Sequence, residues 1–139
     1  STNPGEPVRP LGKVASGGEL SRIMLAIKTV MSEDADKTLI FDEIDTGISG
    51  RTAQMVAVKM HSIAASHQVI CITHLPQIAA MADTHFMIEK SASDNRTTTT
   101  IKRLNEQESV CELARLLGGS ELTEAVMANA REMRSAVHR

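Results

Sequence analysis

Apolar residues recur along this chain with two different periods, and the switches between them mark out its elements. Leu20, Ile23, Met24 and Ile27 fall at helical spacing behind Ser16-Gly17-Gly18, with Glu19 in the first turn. A helix therefore opens there, and the acidic stretch Glu33-Asp34-Ala35-Asp36 closes it. Thr38 to Phe41 is a short apolar run ending in Asp42-Glu43, the pattern of a buried strand. A loop holding Gly47 and Gly50 leads to a helix from about Thr52 to Ala65. Gln68 to Thr73, rich in β-branched residues, reads as a second buried strand ending at His74, and Pro76 suits the first turn of a short helix.

His85–Glu89 and Thr97–Leu104 predict two further strands, joined through the polar turn Ser93-Asp94-Asn95-Arg96 as an antiparallel hairpin. Asn105 with Glu108 makes a capping-box pattern for a helix to Leu117, which Gly118-Gly119 terminates. Ser120 is the expected cap of a last helix running to about Ser135. Strands alternating with helices predict an α/β fold with a mainly parallel sheet flanked by helices. Residues 1–13, rich in Pro and Gly, read as an extended lead-in and 14–135 as the folded part, with no repeat, low-complexity tract or second-domain boundary.

Composition narrows the functional classes. The 139 residues are 42% hydrophobic, which suits one domain or a piece of one. The core is expected to be aliphatic, since there is no Trp or Tyr, only Phe41 and Phe86, and eight Met. A net charge of -2 with no basic run argues against a standalone duplex-DNA binder, which exploits counterion release. The near absence of aromatics argues equally against stacking on single strands. Cys71 and Cys111 lie far apart and form no CxxC pair, as fits a reducing cytosol, and Cys71 with His74 and His85 matches no closed zinc template. No apolar run approaches membrane-spanning length, and the first residues lack a signal-peptide core.

Three clusters carry candidate chemistry. In Ser16-Gly17-Gly18-Glu19, two glycines before a helix let backbone N–H groups approach an anion, the helix N-terminus adds partial positive charge, and a serine hydroxyl adds a donor. Alone, the same residues also describe an ordinary capped helix start. Asp42-Glu43 stands at the C-terminal end of an apolar strand, where open α/β sheets bind ligands. The first carboxylate suits Mg²⁺, and the second suits a water attacking a terminal phosphate; a solvated strand end is the plainer alternative. His74 closes Ile72-Thr73-His74 at another strand end, where it could donate to a phosphate oxygen or serve packing alone.

In this order the clusters match the signature motif, Walker B motif and switch histidine of ABC-type ATPases. VASGGELSRIMLAIK, FDEIDTGISG, THLPQIAAMAD and ELARLLGG together resemble the RecN family, SMC-like proteins of DNA double-strand-break repair, from about Pro4 to Met133. Glu19 stands where ABC transporters usually carry Gln. The resemblance implies that Asp42 holds Mg²⁺, that Glu43 is the catalytic carboxylate and His74 the switch at the γ-phosphate. It implies that Ser16, Gly17, Gly18 and Glu19 serve the nucleotide of an opposing head, and that Asp45, with Thr46 and Gly47, forms the D-loop at the head dimer interface. A turn residue is the plainer reading of Asp45.

No phosphate-binding loop accompanies these motifs. The pattern G-x-x-x-x-G-K-[ST] fails at Gly12-Lys13, which has Pro7 five residues before it and Val14 after it. The fold implied is thus the C-terminal part of a P-loop NTPase head without its Walker A strand, which in the family lies beside the strand ending at the switch His. Such a chain is expected to be inactive as an ATPase alone and to expose an unpaired edge at Gln68–Thr73. The partners implied are the N-terminal Walker A half, a second head, and DNA through the full-length protein, with ATP and Mg²⁺ bound only in the complete head. A cytoplasmic, nucleoid-associated bacterial protein follows from the same resemblance. A non-enzymatic dimerisation or binding module, or the head of another SMC-like ATPase, is the alternative.

Overall fold

The computed structural model describes residue 5 and residues 7–31, 37–93, 96–119 and 121–136. It divides into two compact units, Ser1–Leu75 and Pro76–Arg139.

In the first unit, residues 7–10 have no helix or strand, and a 3₁₀ turn at Leu11–Lys13 closes the segment that the sequence predicts as an extended lead-in, residues 1–4 and 6 lying outside the described residues. Helix α1 (Gly17–Val30), strand β1 (Thr38–Phe41), helix α2 (Gly50–Ala64) and strand β2 (Gln68–Cys71) follow. The acidic stretch expected to close α1 lies outside the described residues. β1 and β2 pair in parallel from Thr38↔Gln68 to Phe41↔Cys71, and α2 is the crossover that a parallel pair requires. Thr38 reinforces the first rung by donating its hydroxyl to Gln68 Oε1 at 2.6 Å. The stripe Ala53, Val56, Ala57, Met60 and Ile63 buries one face of α2 into a core that also holds Leu25, Phe41 and Ile44.

The apolar runs predict two buried strands, yet each is covered on one side only. Phe41 points into the core while Ile40 is 69% exposed, and Ile70 and Ile72 are exposed as well. A strand sends alternate side chains to opposite faces, and among the described residues of this unit the helices cover one face of the pair. Among the described residues β1 and β2 pair only with each other, so the second edge of β2 carries no strand. The apolar stripe of α1 (Leu20, Ile23, Met24 and Ile27) is likewise exposed, and the helix seats itself through Gly18 and Leu25 instead.

The second unit opens with the short helix α3 (Pro76–Ala79), followed by the antiparallel hairpin of β3 (Phe86–Ser93) and β4 (Arg96–Arg103). Both strands run further toward the turn than the sequence pattern predicts; the turn residues Asp94 and Asn95 lie outside the described residues. Helix α4 (Glu106–Gly118) begins on the expected capping box: Glu108 N–H donates to Asn105 Oδ1, and Asn105 N–H to Glu108 Oε2, both at 2.9 Å. It ends where Gly119 takes φ +69°, a left-handed conformation that suits glycine. Helix α5 (Glu124–Ser135) is capped by the Thr123 hydroxyl. Its start therefore lies later than a cap at Ser120, itself outside the described residues, would give.

Ala79, Ala80, Val110, Leu113, Ala114 and Ala130 form this unit's core, and its many alanines allow close helix packing. Arg134 is only 6% exposed. Its Nη1 donates to Ala80 O at 3.0 Å and to Ala82 O, while Nε and Nη2 meet the Glu106 carboxylate at 3.2 to 3.3 Å. His85 Nδ1 and Ser109 Oγ are 2.8 Å apart and tie the start of the hairpin to α4. Leu113 is fully buried, so Leu113→Ala is expected to cost about 2–5 kcal/mol in denaturant unfolding, through lost transfer energy and a cavity.

Candidate functional site

The parallel register sets Phe41 opposite Cys71, so the chain segments leaving β1 and β2 emerge side by side. Asp45, on the segment after β1, turns inward and is 4% exposed. Its Oδ2 accepts from Thr73 Oγ1 at 2.6 Å and from His74 N–H at 2.9 Å, and it lies 3.0 Å from His74 Nδ1. Burial pushes the Asp45 pKa up. The Thr73 hydroxyl, the His74 amide and the charge of the His74 ring outweigh it and hold the carboxyl below its ordinary range. Thr73 Oγ1 also accepts from Leu75 N–H at 3.0 Å. The His74 side chain is 73% exposed, so its ring is anchored on one side and open on the other. Nearby, burial and then the charges of Asp45 and Asp42 push the Cys71 thiol up to about 12, which keeps it neutral.

The N-terminus of α1 meets the same loop. Ser16 caps the helix in a reciprocal box: Glu19 N–H donates to Ser16 Oγ at 3.3 Å, and Glu19 Oε2 accepts Ser16 N–H at 2.7 Å and its hydroxyl at 3.0 Å. The backbone and then the hydroxyl of Ser16 hold the Glu19 carboxyl below its ordinary range. Ser21 Oγ donates to Asp42 O at 2.8 Å, and Arg22 Nη1 to Ile44 O and Thr46 O at 3.0 and 2.9 Å. A Cβ on Gly17 would overlap Glu43 Oε2, which a rotation of that side chain could relieve, but one on Gly18 would come within 2.7 Å of the Glu43 carbonyl, so at Gly18 the backbone contact requires glycine.

Glu43 has φ +57°, a left-handed conformation that costs a non-glycine residue about 1–2 kcal/mol. Two bonds hold it there: its N–H donates to Asp42 Oδ1 at 2.9 Å, and its carbonyl accepts Thr46 N–H at 3.0 Å. Gly47 and Gly50, at φ +73° and +52°, take the further left-handed positions the loop needs.

Each candidate from the sequence falls in this first unit. Ser16, Gly17, Gly18 and Glu19 stand at the start of α1 beside Glu43, Asp42 precedes Glu43 after β1, and Asp45 is joined to His74. The hydroxyl of Ser16 is engaged by Glu19, and the Asp45 carboxylate faces its own chain. Asp42 is exposed and offers the hard oxygen that Mg²⁺ favours. Among the described residues no three His, Cys, Asp or Glu side chains converge to hold a metal ion. Sequence reasoning assigned nothing to Ser21, Arg22 or Thr73. The available signal was that Gly18, Ser21, Arg22 and Leu25 share one side of α1, opposite the apolar stripe.

Gly18→Ala is expected to destabilise the protein by about 1–3 kcal/mol despite the better helix propensity of Ala, because backbone must move. Gly12→Ala, with nothing within 4 Å, is the control and should unfold at the wild-type denaturant midpoint. Asp45→Ala strands the donors of Thr73 and His74, at a cost of about 1–3 kcal/mol near neutral pH. Because the folded pKa of Asp45 lies below the unfolded value of about 3.9, its contribution is complete above that pH. The contribution is lost as pH falls through the lower folded value. Denaturant titrations across the acid range should therefore show the gap between wild type and Asp45→Ala closing as pH falls.

No family model matches the chain. The DNA repair protein RecN of Bacillus subtilis is 56% identical to it over 134 residues, 96% of this chain and 23% of that protein. RecN of Halalkalibacterium halodurans is 55% identical and RecN of Vibrio cholerae 47%, each over 96% of this chain and 24% of the relative. Among solved structures, a chain from work on ATP-driven dimerization and DNA-stimulated activation of SMC ATPases matches with a TM-score of 0.52 at 18% identity. That match covers 84% of this chain and 70% of the other, and it speaks for the fold alone. The chain is thus of RecN type, spanning about a quarter of the length of the curated relatives it matches, with the α/β fold of an SMC-like ATPase head.

Proposed function

We propose that this chain supplies the Walker B, D-loop, switch-histidine and signature residues to the nucleotide-binding head of a RecN-type double-strand-break repair ATPase. The observation that carries this reading is the meeting of three sequence-distant segments, the N-terminus of α1 and the ends of β1 and β2, in one unit. Asp42 would contribute an oxygen to Mg²⁺, which when bound neutralises charge on the phosphates. Glu43 would orient the attacking water and accept its proton, and His74 would meet the terminal phosphate. The amides and hydroxyl at Ser16, Gly17 and Gly18, together with Glu19, would serve the nucleotide held by an opposing head. On this reading ATP sandwiched between two heads drives their engagement, hydrolysis releases them, and DNA is met through the full-length protein. A cytoplasmic, nucleoid-associated location follows from the same reading.

The exposed apolar faces support a dependence on further chain. Ile40, Ile70 and Ile72 line the uncovered side of the sheet, and Leu20, Ile23, Met24 and Ile27 the outer side of α1. An N-terminal Walker A half would cover such surface and pair the second edge of β2. The same faces favour a second reading, a contact or dimerisation module without chemistry of its own.

Turnover separates the two. In the full-length protein Glu43→Gln is expected to lower ATP hydrolysis by about 10²-fold or more, with nucleotide affinity nearly unchanged in equilibrium binding. Wild-type turnover in that variant overturns the role of Glu43. The chain alone should be silent and should gain activity when mixed with the N-terminal head segment; association without hydrolysis favours the contact module.

A further inference from the structure

Resting on that nucleotide reading, we propose that Asp45 is a positioning residue for His74: its carboxylate fixes the proton on Nδ1 and turns Nε2 outward as the atom that meets a terminal phosphate. Three observations carry this. The Asp45 carboxylate is buried and faces its own chain. Its Oδ2 takes the His74 backbone N–H and the Thr73 hydroxyl, and the ring nitrogen Nδ1 of His74 lies 3.0 Å from the same oxygen as an ion-pair contact. The rest of the ring stands in solvent, with the side chain 73% exposed.

The chemistry follows from the donor inventory. An ionised carboxylate only accepts hydrogen bonds, so the ring nitrogen beside it must be the one that carries a proton. A neutral His74 then has its lone pair on Nε2, pointing away from Asp45. A terminal phosphate oxygen is also an acceptor, so contact with it requires a second proton on Nε2, and Asp45 is the counter-charge against which that cationic ring sits. Thr73 donates to the same carboxylate oxygen without touching the ring. The loop after β1 therefore offers Thr46 and Gly47, both exposed, to anything outside the chain, while Asp45 works inward.

The first test needs no variant. In the full-length wild-type protein labelled with ¹⁵N-histidine, the His74 ring, assigned by its loss in His74→Gln, should show a protonated Nδ1 and a bare Nε2 at alkaline pH. A protonated Nε2, or fast averaging of the two forms, overturns the proposal. In Asp45→Ala the preference for Nδ1–H should disappear, whereas Thr73→Val should keep it. Steady-state hydrolysis adds a second readout: Asp45→Asn, which keeps the shape and loses the charge, should lower kcat by about tenfold or more with KM changed less than about twofold. Combined with His74→Gln it should cause no further loss, because both changes remove the same device. Additive losses would mean that Asp45 acts apart from His74. If the wild-type protein hydrolyses no ATP, the nucleotide reading fails while the tautomer measurement still decides the Asp45–His74 link.

Discussion

An ionised carboxylate withdrawn from water must be met by donors, and the donors that meet Asp45 come from the segment that follows a different strand. Thr73 and His74 follow β2, Asp45 follows β1, and the bonds between them tie the two strand ends into one working surface. The arrangement is possible because the strands run parallel and in register, so that both chains leave the sheet at the same edge. A one-residue slip would turn every side chain of the strand to the other face and separate these partners. The site thus depends on a hydrophobic core that chooses the register, and on one buried charge that uses it.

The loop between Asp42 and Thr46 is held from a second direction by α1. The helix seats its polar side inward: Ser21 and Arg22 donate to three loop carbonyls, and Gly17 and Gly18 let Glu43 come close. This contact pins Glu43 in a left-handed backbone conformation that strands and helices do not use. Strain of this kind persists only where the surroundings over-determine it, and here cap, loop and strand end all converge. The consequence is an inverted helix, with its apolar stripe facing out beside a half-covered sheet. Exposed apolar surface of this kind is what contact with further protein would cover.

In the second unit a buried arginine plays a comparable part. Arg134 reaches the carbonyls beyond α3 and the Glu106 carboxylate, linking both ends of a small helical cluster built on alanine contacts. The Glu106 side chain is largely exposed, so the ion pair itself contributes little, and Arg134 acts mainly by satisfying the carbonyls it meets and holding the three helices in one arrangement. His85 adds a neutral link to Ser109; burial first, and Arg134 with it, press its pKa down, against the opposing pull of Glu112.

Local chemistry is legible in the amino-acid sequence alone. The caps at Ser16 and Asn105, the glycine stop after α4, the hairpin and the alternation of strands and helices each rest on short-range patterns that a sequence displays directly. The order of the motifs, and the grouping of Ser16 to Glu19, Asp42, Glu43, Asp45 and His74 as candidates, are equally legible. Three decisions are not. Which face of α1 and of each strand is covered depends on what packs there, and periodicity carries no label for inside. The left-handed Glu43 and the engagement of Arg22 arise from residues about twenty positions apart meeting in space. The inward turn of Asp45 onto His74 requires the parallel register, a choice made by the core as a whole. Sequence determined the parts and their chemistry because those are local; only tertiary structure could decide which carboxylate faces solvent and which faces the histidine, because burial is a property of the assembled chain.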